Sequence, residues 1–488
     1  MMNTIRNHLP HIILILGIVS YMVYFSLFTI NRQEKLYAHY FDLGIMHHAV
    51  YNTYKGLETG NFDRILQITN PHKSADQVKR MSVHNDITLG LITPFYFIYS
   101  GPETLLILQS VIIGFGALYI YFIAIEIIPI SRKRTWFALL FAYSYLLYPA
   151  LQKANNFDFH AVTFATTFLL AMYYYWLKKK YGWSIFFAIM SVLTKEQVGL
   201  TVATFGVYTY LHQIKGFQWK RISIASVIFI LLGVVWTYVS MKYIIPYFRG
   251  DEHFVTKYFT YLKEDPLQIF PVLFRYETWH YIFILLAPVG LFALASLPHL
   301  LILAPEFAIN LLSSNGNMRN IYFHYNSVLT PFIFIASIYG VKNILNKKFA
   351  WFKMISHKET MLLTCLATST IIFSLSMSPL PWGHDKDMYP WQQAPEKLQD
   401  VLMWKEYLKD DQIKVSATGH LAPHFTSRQY YYDFSWKYTY ADYVVVDTHE
   451  VDRGFMKHLT EPAYKDLQKD WRYIRIYQHN GIEVYKKL

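Results

Sequence analysis

Apolar residues along this chain gather into runs near the length of a membrane span, separated by short polar connections. A helix needs about 20 apolar residues to cross the hydrocarbon of a bilayer. The pattern predicts eleven spans, at 10–30, 104–128, 136–151, 161–177, 183–193, 197–211, 222–243, 279–297, 299–312, 327–344 and 361–378. The apolar piece 87–99 is too short to cross and reads as a re-entrant or surface helix within the polar stretch 31–103. Only Thr194-Lys195-Glu196 separates the fifth span from the sixth. The first run is too long for the core of a cleavable signal and lacks a small-residue cleavage site, so it reads as a span. After the break Pro379-Leu380-Pro381-Trp382-Gly383 the chain turns polar. Strand-like pieces follow at 413–417, 443–446 and 474–477, and His479-Asn480-Gly481 joins the last to 482–485 as a hairpin. With a helical-looking piece at 466–469, these predict a small α/β domain at 379–488, following a transmembrane domain at 1–378.

Composition agrees with this pattern. The chain is 53% hydrophobic and 16% charged, where a soluble domain has about 45–50% and 25%; a string of soluble domains is excluded. The single cysteine, Cys365, excludes an internal disulfide and reads as inert packing. Basic residues in short connections mark the cytoplasmic side. With the N-terminus inside, the inner segments carry Arg6; Arg132, Lys133 and Arg134; Lys178, Lys179 and Lys180; Lys215, Lys220 and Arg221; and Lys342, Lys347, Lys348, Lys353 and Lys358, with no acidic residue. The two long outer loops are balanced in charge. The net charge of +12 is therefore a topology signal that does not call for nucleic acid. It sets the N-terminus in the cytoplasm and the C-terminal domain outside, in a multi-pass protein of the cell membrane.

Polar side chains in unusual settings fall on the outer side. Asp42 opens a short amphipathic stretch with His47 and His48, and there an aspartate is most often a helix N-cap. His84-Asn85-Asp86 precedes the short apolar piece, and Asn155-Asn156-Phe157-Asp158-Phe159-His160 forms the second outer loop. Either can be an ordinary surface loop. Lys195-Glu196 is harder to dismiss, because ionisable groups tightly bracketed by spans are costly and usually functional. Glu306 lies inside the ninth span. His324 precedes the tenth, and His420, His424 and Arg428 lie in the outer domain. Pro423 breaks the His420–His424 spacing away from a helical zinc motif. Taken together, Asp42, Asp158 and Glu196 are candidate catalytic carboxylates. Asp42, Asp158 and His160 are candidate ligands for Mg²⁺ or Mn²⁺. Lys195 and Arg428, with His84, His160, His324, His420 and His424, are candidates to bind substrate and neutralise phosphate. A carboxylate beside a hydroxyl serves as general base, and cations stabilise a departing phosphate.

The runs Tyr40-Phe41-Asp42-Leu43-Gly44, Asn156-Phe157-Asp158-Phe159-His160, Lys195-Glu196-Gln197-Val198-Gly199, His324-Tyr325-Asn326 and Thr418-Gly419-His420-Leu421-Ala422-Pro423-His424 resemble those of a family of prokaryotic multi-pass membrane proteins with no assigned reaction. That family in turn is similar to the GT-C glycosyltransferases: the protein mannosyltransferases, the aminoarabinose transferase of lipid A and oligosaccharyltransferase. The resemblance implies an acidic residue after the first span, a second in the next outer loop, and a polyprenyl-linked sugar donor. Asp42 and Asp158 match the two acidic positions. A proline often follows the histidine of the family's first loop, and His84-Asn85-Asp86-Ile87 lacks it, so no specific role passes to His84.

The expected protein is thus a GT-C-like, α-helical polytopic glycosyltransferase with inverting chemistry. It would pass a sugar from a polyprenyl phosphate in the membrane lipid to an acceptor of the cell envelope. A transporter or lipid flippase is the alternative, with Glu306 and Lys195-Glu196 as a relay. Such a protein should show inverted repeats and mid-membrane sites; no repeat is evident, and the polar clusters keep to one face. A non-enzymatic envelope scaffold is the third possibility.

Overall fold

The computed structural model describes residues 2–71, 74–131, 133–214, 224–346, 357–385, 388–389, 391–454 and 456–488. Of the basic residues expected at the inner face, Arg132, Lys215, Lys220, Arg221, Lys347, Lys348 and Lys353 lie outside these, and the side chain of Arg6 is not described. Helix occurs at each of the eleven apolar stretches. Among the described residues, five helical segments are long and apolar enough to cross a membrane: His8–Glu34, Glu103–Ile127, Ile224–Arg249, Phe292–Leu312 and Lys358–Met377. Four others are shorter, among them Ala161–Leu177, Tyr181–Val192 and Leu329–Leu345.

Glu103–Ile127 is a hub, packed on Met2–Glu34, Arg134–Leu146 and Phe164–Leu177. Phe25, Ile113, Phe141, Leu169 and Phe332 meet in the core they form. Prolines set the breaks. The third apolar stretch splits at Leu147-Tyr148, where Pro149 starts a new helix, Pro149–Asn156. The end of the eighth and the start of the ninth form a chain of short 3₁₀ and α turns leading into Ala304–Leu312. Val198–Ile214 and Ile224–Val239 approach backbone to backbone: a Cβ on Gly233 would stand 2.1 Å from the carbonyl oxygen of Gly199. Only glycines permit that spacing.

A second core joins the first long loop to the C-terminal residues. Tyr40, Leu43, Val50 and Leu89 pack there with Phe159, Val415, Leu421 and Tyr431. The loop holds a small hairpin, β1 (Gln67–Thr69) with β2 (Gln77–Lys79), and the short helix Thr88–Ile92 within the piece expected to be too short to cross. The C-terminal sheet contains β3 (Val415–Ala417), β4 (Tyr431–Asp433), β5 (Tyr443–Asp447), β6 (Tyr473–His479) and β7 (Ile482–Lys487), in the order β4-β3-β5-β7-β6. β4, β3 and β5 run parallel; β7 is antiparallel to β5 and to β6. Asn480 and Gly481, at φ 47° and 80°, turn the expected hairpin. β4 was not expected, since three residues carry too little alternation to read. The C-terminal part is tied to the first long loop by polar contacts as well. Tyr40 N–H donates to the Gly419 carbonyl at 2.9 Å, and Arg64 pairs with Asp411 at 3.1 Å.

Candidate functional site

Asp42 lies in a five-residue π-helical turn, Tyr40–Gly44, that runs directly into the helix Ile45–Thr59. It is not the N-cap. His39 holds that position, its Nδ1 accepting the Phe41 N–H at 3.3 Å. The Asp42 carboxylate is therefore released from local duty. Its Oδ1 accepts from His160 Nε2 at 3.0 Å, with about a quarter of its side chain exposed. Widened turns of this kind often occur where a helix must present a functional side chain.

A tightly tied loop brings His160 to this place. Gln109, in the hub helix, donates from Nε2 to the carbonyls of Asn155 (2.9 Å) and Asp158 (2.8 Å). Its Oε1 accepts the His160 N–H (2.8 Å) and the Thr163 hydroxyl (3.0 Å). Asp158 takes the left-handed region, φ 52°, where aspartate is better tolerated than most residues. Its buried Oδ2 accepts the His39 N–H at 2.8 Å. Burial first, then the neighbouring charge of Asp42, push the Asp158 carboxyl up to about 7. Asp158 thus positions the Asp42 turn from behind. The His160 ring stacks on His324, with centroids 3.7 Å apart.

In the connection before Val198–Ile214, Lys195 and Glu196 point into different settings. Burial raises the cost of the Glu196 charge, but His84 Nδ1 donates to Oε1 at 2.8 Å, His253 Nε2 stands 3.3 Å from the same oxygen, and the Asn85 N–H donates to Oε2 at 3.0 Å. These hold its carboxyl well below the usual range, while burial brings His84 down to about 3. Lys195 is 9% exposed. Its ammonium stands 5.8 Å from the centre of the Tyr325 ring, and no carboxylate of the described residues lies within ion-pairing distance. Burial lowers its pKa, against the attraction of Glu196 and Glu306.

These groups face a cavity of about 330 Å³, near the small end of ligand sites. Asp42, His84, His160, Lys195 and His324 line it, with Phe254, Tyr258 and Tyr325 as aromatic walls. Arg80 and Asp86 form part of the wall as an ion pair, with Nη2 to Oδ2 at 2.8 Å and Nε to Oδ1 at 3.1 Å. The buried Nδ1 atoms of His160 and His324 meet no hydrogen-bonding partner among the described residues. Unpartnered buried nitrogens cost about 1–3 kcal/mol each. One lysine and two histidines with unspent nitrogens in the lining of one cavity, beside a carboxylate, describe a site for an anionic, hydroxyl-bearing ligand.

Other expected residues lie elsewhere. Arg428 is buried and spent on backbone: Nη1 donates to Ile413 O and Nη2 to Leu408 O, each at 2.8 Å, and Nε to Phe425 O. It ties the C-terminal part together and is not part of the cavity lining. His424 packs against Gln33, its Nε2 3.2 Å from that carbonyl. His420 sits one step behind the Asp42 turn, against the Ala38 carbonyl and the His39 ring. His47 and His48 bind Tyr96, Ser427 and the Gln429 carbonyl as structural ties. Glu306 accepts from Gln197 at 2.8 Å beneath the cavity. Arg80, Gln109 and His253 went unnoticed in the sequence. Each stands in an ordinary polar context, and only the long-range contacts single it out.

Asp42, Asp158 and His160 do not form the metal cluster expected of them. Asp158 Oδ2 already accepts a backbone N–H, and His160 Nε2 donates to Asp42. Among the described residues, only His84, Glu196 and His253 bring ligand atoms together within 4.8 Å. His253 Nδ1 accepts the Val255 N–H at 3.0 Å, so Nε2 carries the ring hydrogen and faces Glu196 as a donor. The trio is a carboxylate set between two imidazoles, and His253 presents it a ring N–H in place of a lone pair.

The chain belongs to the predicted membrane protein family DUF2079. The family match covers residues 32–484. No curated protein matches the sequence. The fold is similar to that of ArnT from Cupriavidus metallidurans bound to undecaprenyl phosphate, with a TM-score of 0.55 at 11% identity over 97% of this chain and 98% of that one. ArnT in the apo state gives 0.54, again at 11% identity, over 97% of each chain. At this identity the likeness is one of fold alone, to structures of the GT-C glycosyltransferase type.

Proposed function

We propose that the protein is a membrane glycosyltransferase that takes a sugar from a polyprenyl phosphate and transfers it to a hydroxyl of an envelope acceptor, with inversion. The observation that carries this reading is Lys195, a buried ammonium without an anionic partner among the described residues, lining the same cavity as an Asp42 carboxylate bonded to His160. A phosphate on Lys195 places the anomeric carbon within the cavity. Asp42 takes the proton of the acceptor hydroxyl as its oxygen bonds to that carbon, and the bond from carbon to phosphate oxygen breaks. The electron pair leaves with the phosphate, whose charge Lys195 neutralises. His160, stacked on His324, holds Asp42 in place. Glu196, between His84 and His253, anchors the Lys195 connection as a structural carboxylate. The GT-C fold, and its occurrence in a protein crystallised with undecaprenyl phosphate, support the lipid-phosphate donor class. The catalytic cavity would face outward, on the side opposite the basic connections, and all eleven apolar stretches would span.

The test is direct. Purified protein is incubated with a panel of radiolabelled polyprenyl-phosphate sugars and envelope extracts. Lipid-dependent transfer that is lost in Asp42→Asn supports the reading. Full activity in that variant, or release of the sugar to water only, overturns it.

A further inference from the structure

A second cavity lies at the far end of the helices that carry the first. Val198–Ile214 starts beside Lys195, and its other half, through Thr204, Tyr208 and His212, lines this second space. Leu329–Leu345 follows His324 at the first cavity and presents Lys342 and Asn343 to the second. Its 17 residues span about 25 Å at ~1.5 Å per residue, close to the hydrocarbon thickness of ~30 Å. The two cavities therefore sit near opposite membrane surfaces.

The second cavity holds about 690 Å³. At its centre is His299, with Nδ1 2.8 Å from Ser296 Oγ and Nε2 2.8 Å from the Tyr208 hydroxyl. The ring stacks on Tyr339, with centroids 3.8 Å apart. Lys342 Nζ stands 5.4 Å from the centre of that same tyrosine. His212, His299 and Lys342 are the ionisable groups that accompany the tyrosines in this lining, and no carboxylate is among them. The flank is apolar and open: Val207, Leu211 and Leu301 are 43%, 57% and 65% exposed. Cationic and hydroxyl groups at one surface, continuous with an apolar side door at helix level, match a phosphate headgroup with hydrocarbon tails. The charge complementarity is one-sided, because no described residue of the wall is acidic.

We propose that this cavity binds an anionic glycerophospholipid of the leaflet opposite the Asp42 site, with its phosphate on Lys342 and its acyl chains along Val207, Leu211 and Leu301. The purified full-length protein in neutral detergent is titrated with phosphatidylglycerol, phosphatidylcholine or soluble glycerol phosphate, and binding is followed by native mass spectrometry and melting temperature. Phosphatidylglycerol should bind at least ten-fold more tightly than phosphatidylcholine and raise the melting temperature, and glycerol phosphate alone should do neither. Lys342→Gln should abolish the preference and Lys342→Arg should keep it. Lys179→Gln, which removes a basic residue at the same end but outside the cavity, should leave it unchanged. Equal binding of the two lipids, an unchanged preference in Lys342→Gln, or equal stabilisation by glycerol phosphate would each overturn the proposal.

Discussion

His160 Nε2 and Asp42 Oδ1 stand 3.0 Å apart although 118 positions separate the two residues in the chain. Neither partner is held by its own local backbone. Asp42 is free of capping duty because His39 takes it, and the Gln109 amide fixes the His160 loop. The pair is the product of two loops brought together over the hub helix.

Removing the Asp42 carboxylate tests its role as base. Asp42→Asn should lower transfer by about 10²–10⁴-fold, the ordinary contribution of general base catalysis. Donor binding and melting temperature should stay near wild type, since the aspartate is partly exposed and caps nothing. Radiolabel transfer and lipid-sugar binding measured side by side check this.

Lys195 separates stability from function. A buried ammonium without an anion is a burden on the fold, so Lys195→Met should melt at the same temperature as wild type or higher. Its affinity for the lipid phosphate should fall by roughly 10–100-fold, equivalent to about 1.5–3 kcal/mol for a charged hydrogen bond. Because burial lowers the lysine pKa, transfer should decline with rising pH earlier than an ordinary lysine would dictate. Lys195→Arg should move that decline upward. A pH-rate profile of both proteins reads the shift.

Asp158 makes stability depend on pH. Folding raises its carboxyl from 3.8 to about 7, so the protonated form is the one the native state prefers. The resulting stability is complete below about pH 4 and is lost as the pH rises through 7. Asp158→Asn keeps an acceptor for the His39 N–H and should flatten this part of the curve. The wild type should lose up to about 4 kcal/mol relative to the variant between pH 4 and pH 8, which melting in detergent across that range will register.

Arg428 should behave as a structural residue. Arg428→Met leaves the carbonyls of Leu408 and Ile413 unsatisfied, at about 1–3 kcal/mol each. The expected result is a lower melting temperature and less folded protein, with an unchanged KM for donor in the fraction that folds. A selective rise in KM would return the arginine to phosphate binding.

Chelation tests the reading of Glu196. The hydrogen placement on His253 turns a ring N–H toward the Glu196 carboxylate, to which His84 donates. Transfer should therefore survive dialysis against EDTA. Loss of activity that manganese or magnesium restores would show that the rings rearrange around a cation.

Much of this protein can be read directly from its sequence, because membrane insertion is decided by local composition. Apolar runs of span length, the prolines that interrupt them, and the Asn480-Gly481 turn all act through neighbouring residues, and the structure places helices and hairpin there. Asp42, Asp158, Lys195 and Glu196 could be singled out because charge beside apolar runs is costly wherever the chain goes. Their roles could not be separated that way. Whether a carboxylate is open or spent depends on which backbone N–H or imidazole reaches it from distant segments: His39 for Asp158, His84 and His253 for Glu196, His160 for Asp42. Arg428 and Lys195 look equally cationic in sequence, yet the first is consumed by backbone carbonyls and the second lines a cavity with no carboxylate of the described residues within ion-pairing distance. Side-chain type and local hydropathy determined the helices; only tertiary packing decided which polar groups are spent on holding the fold and which line the cavity.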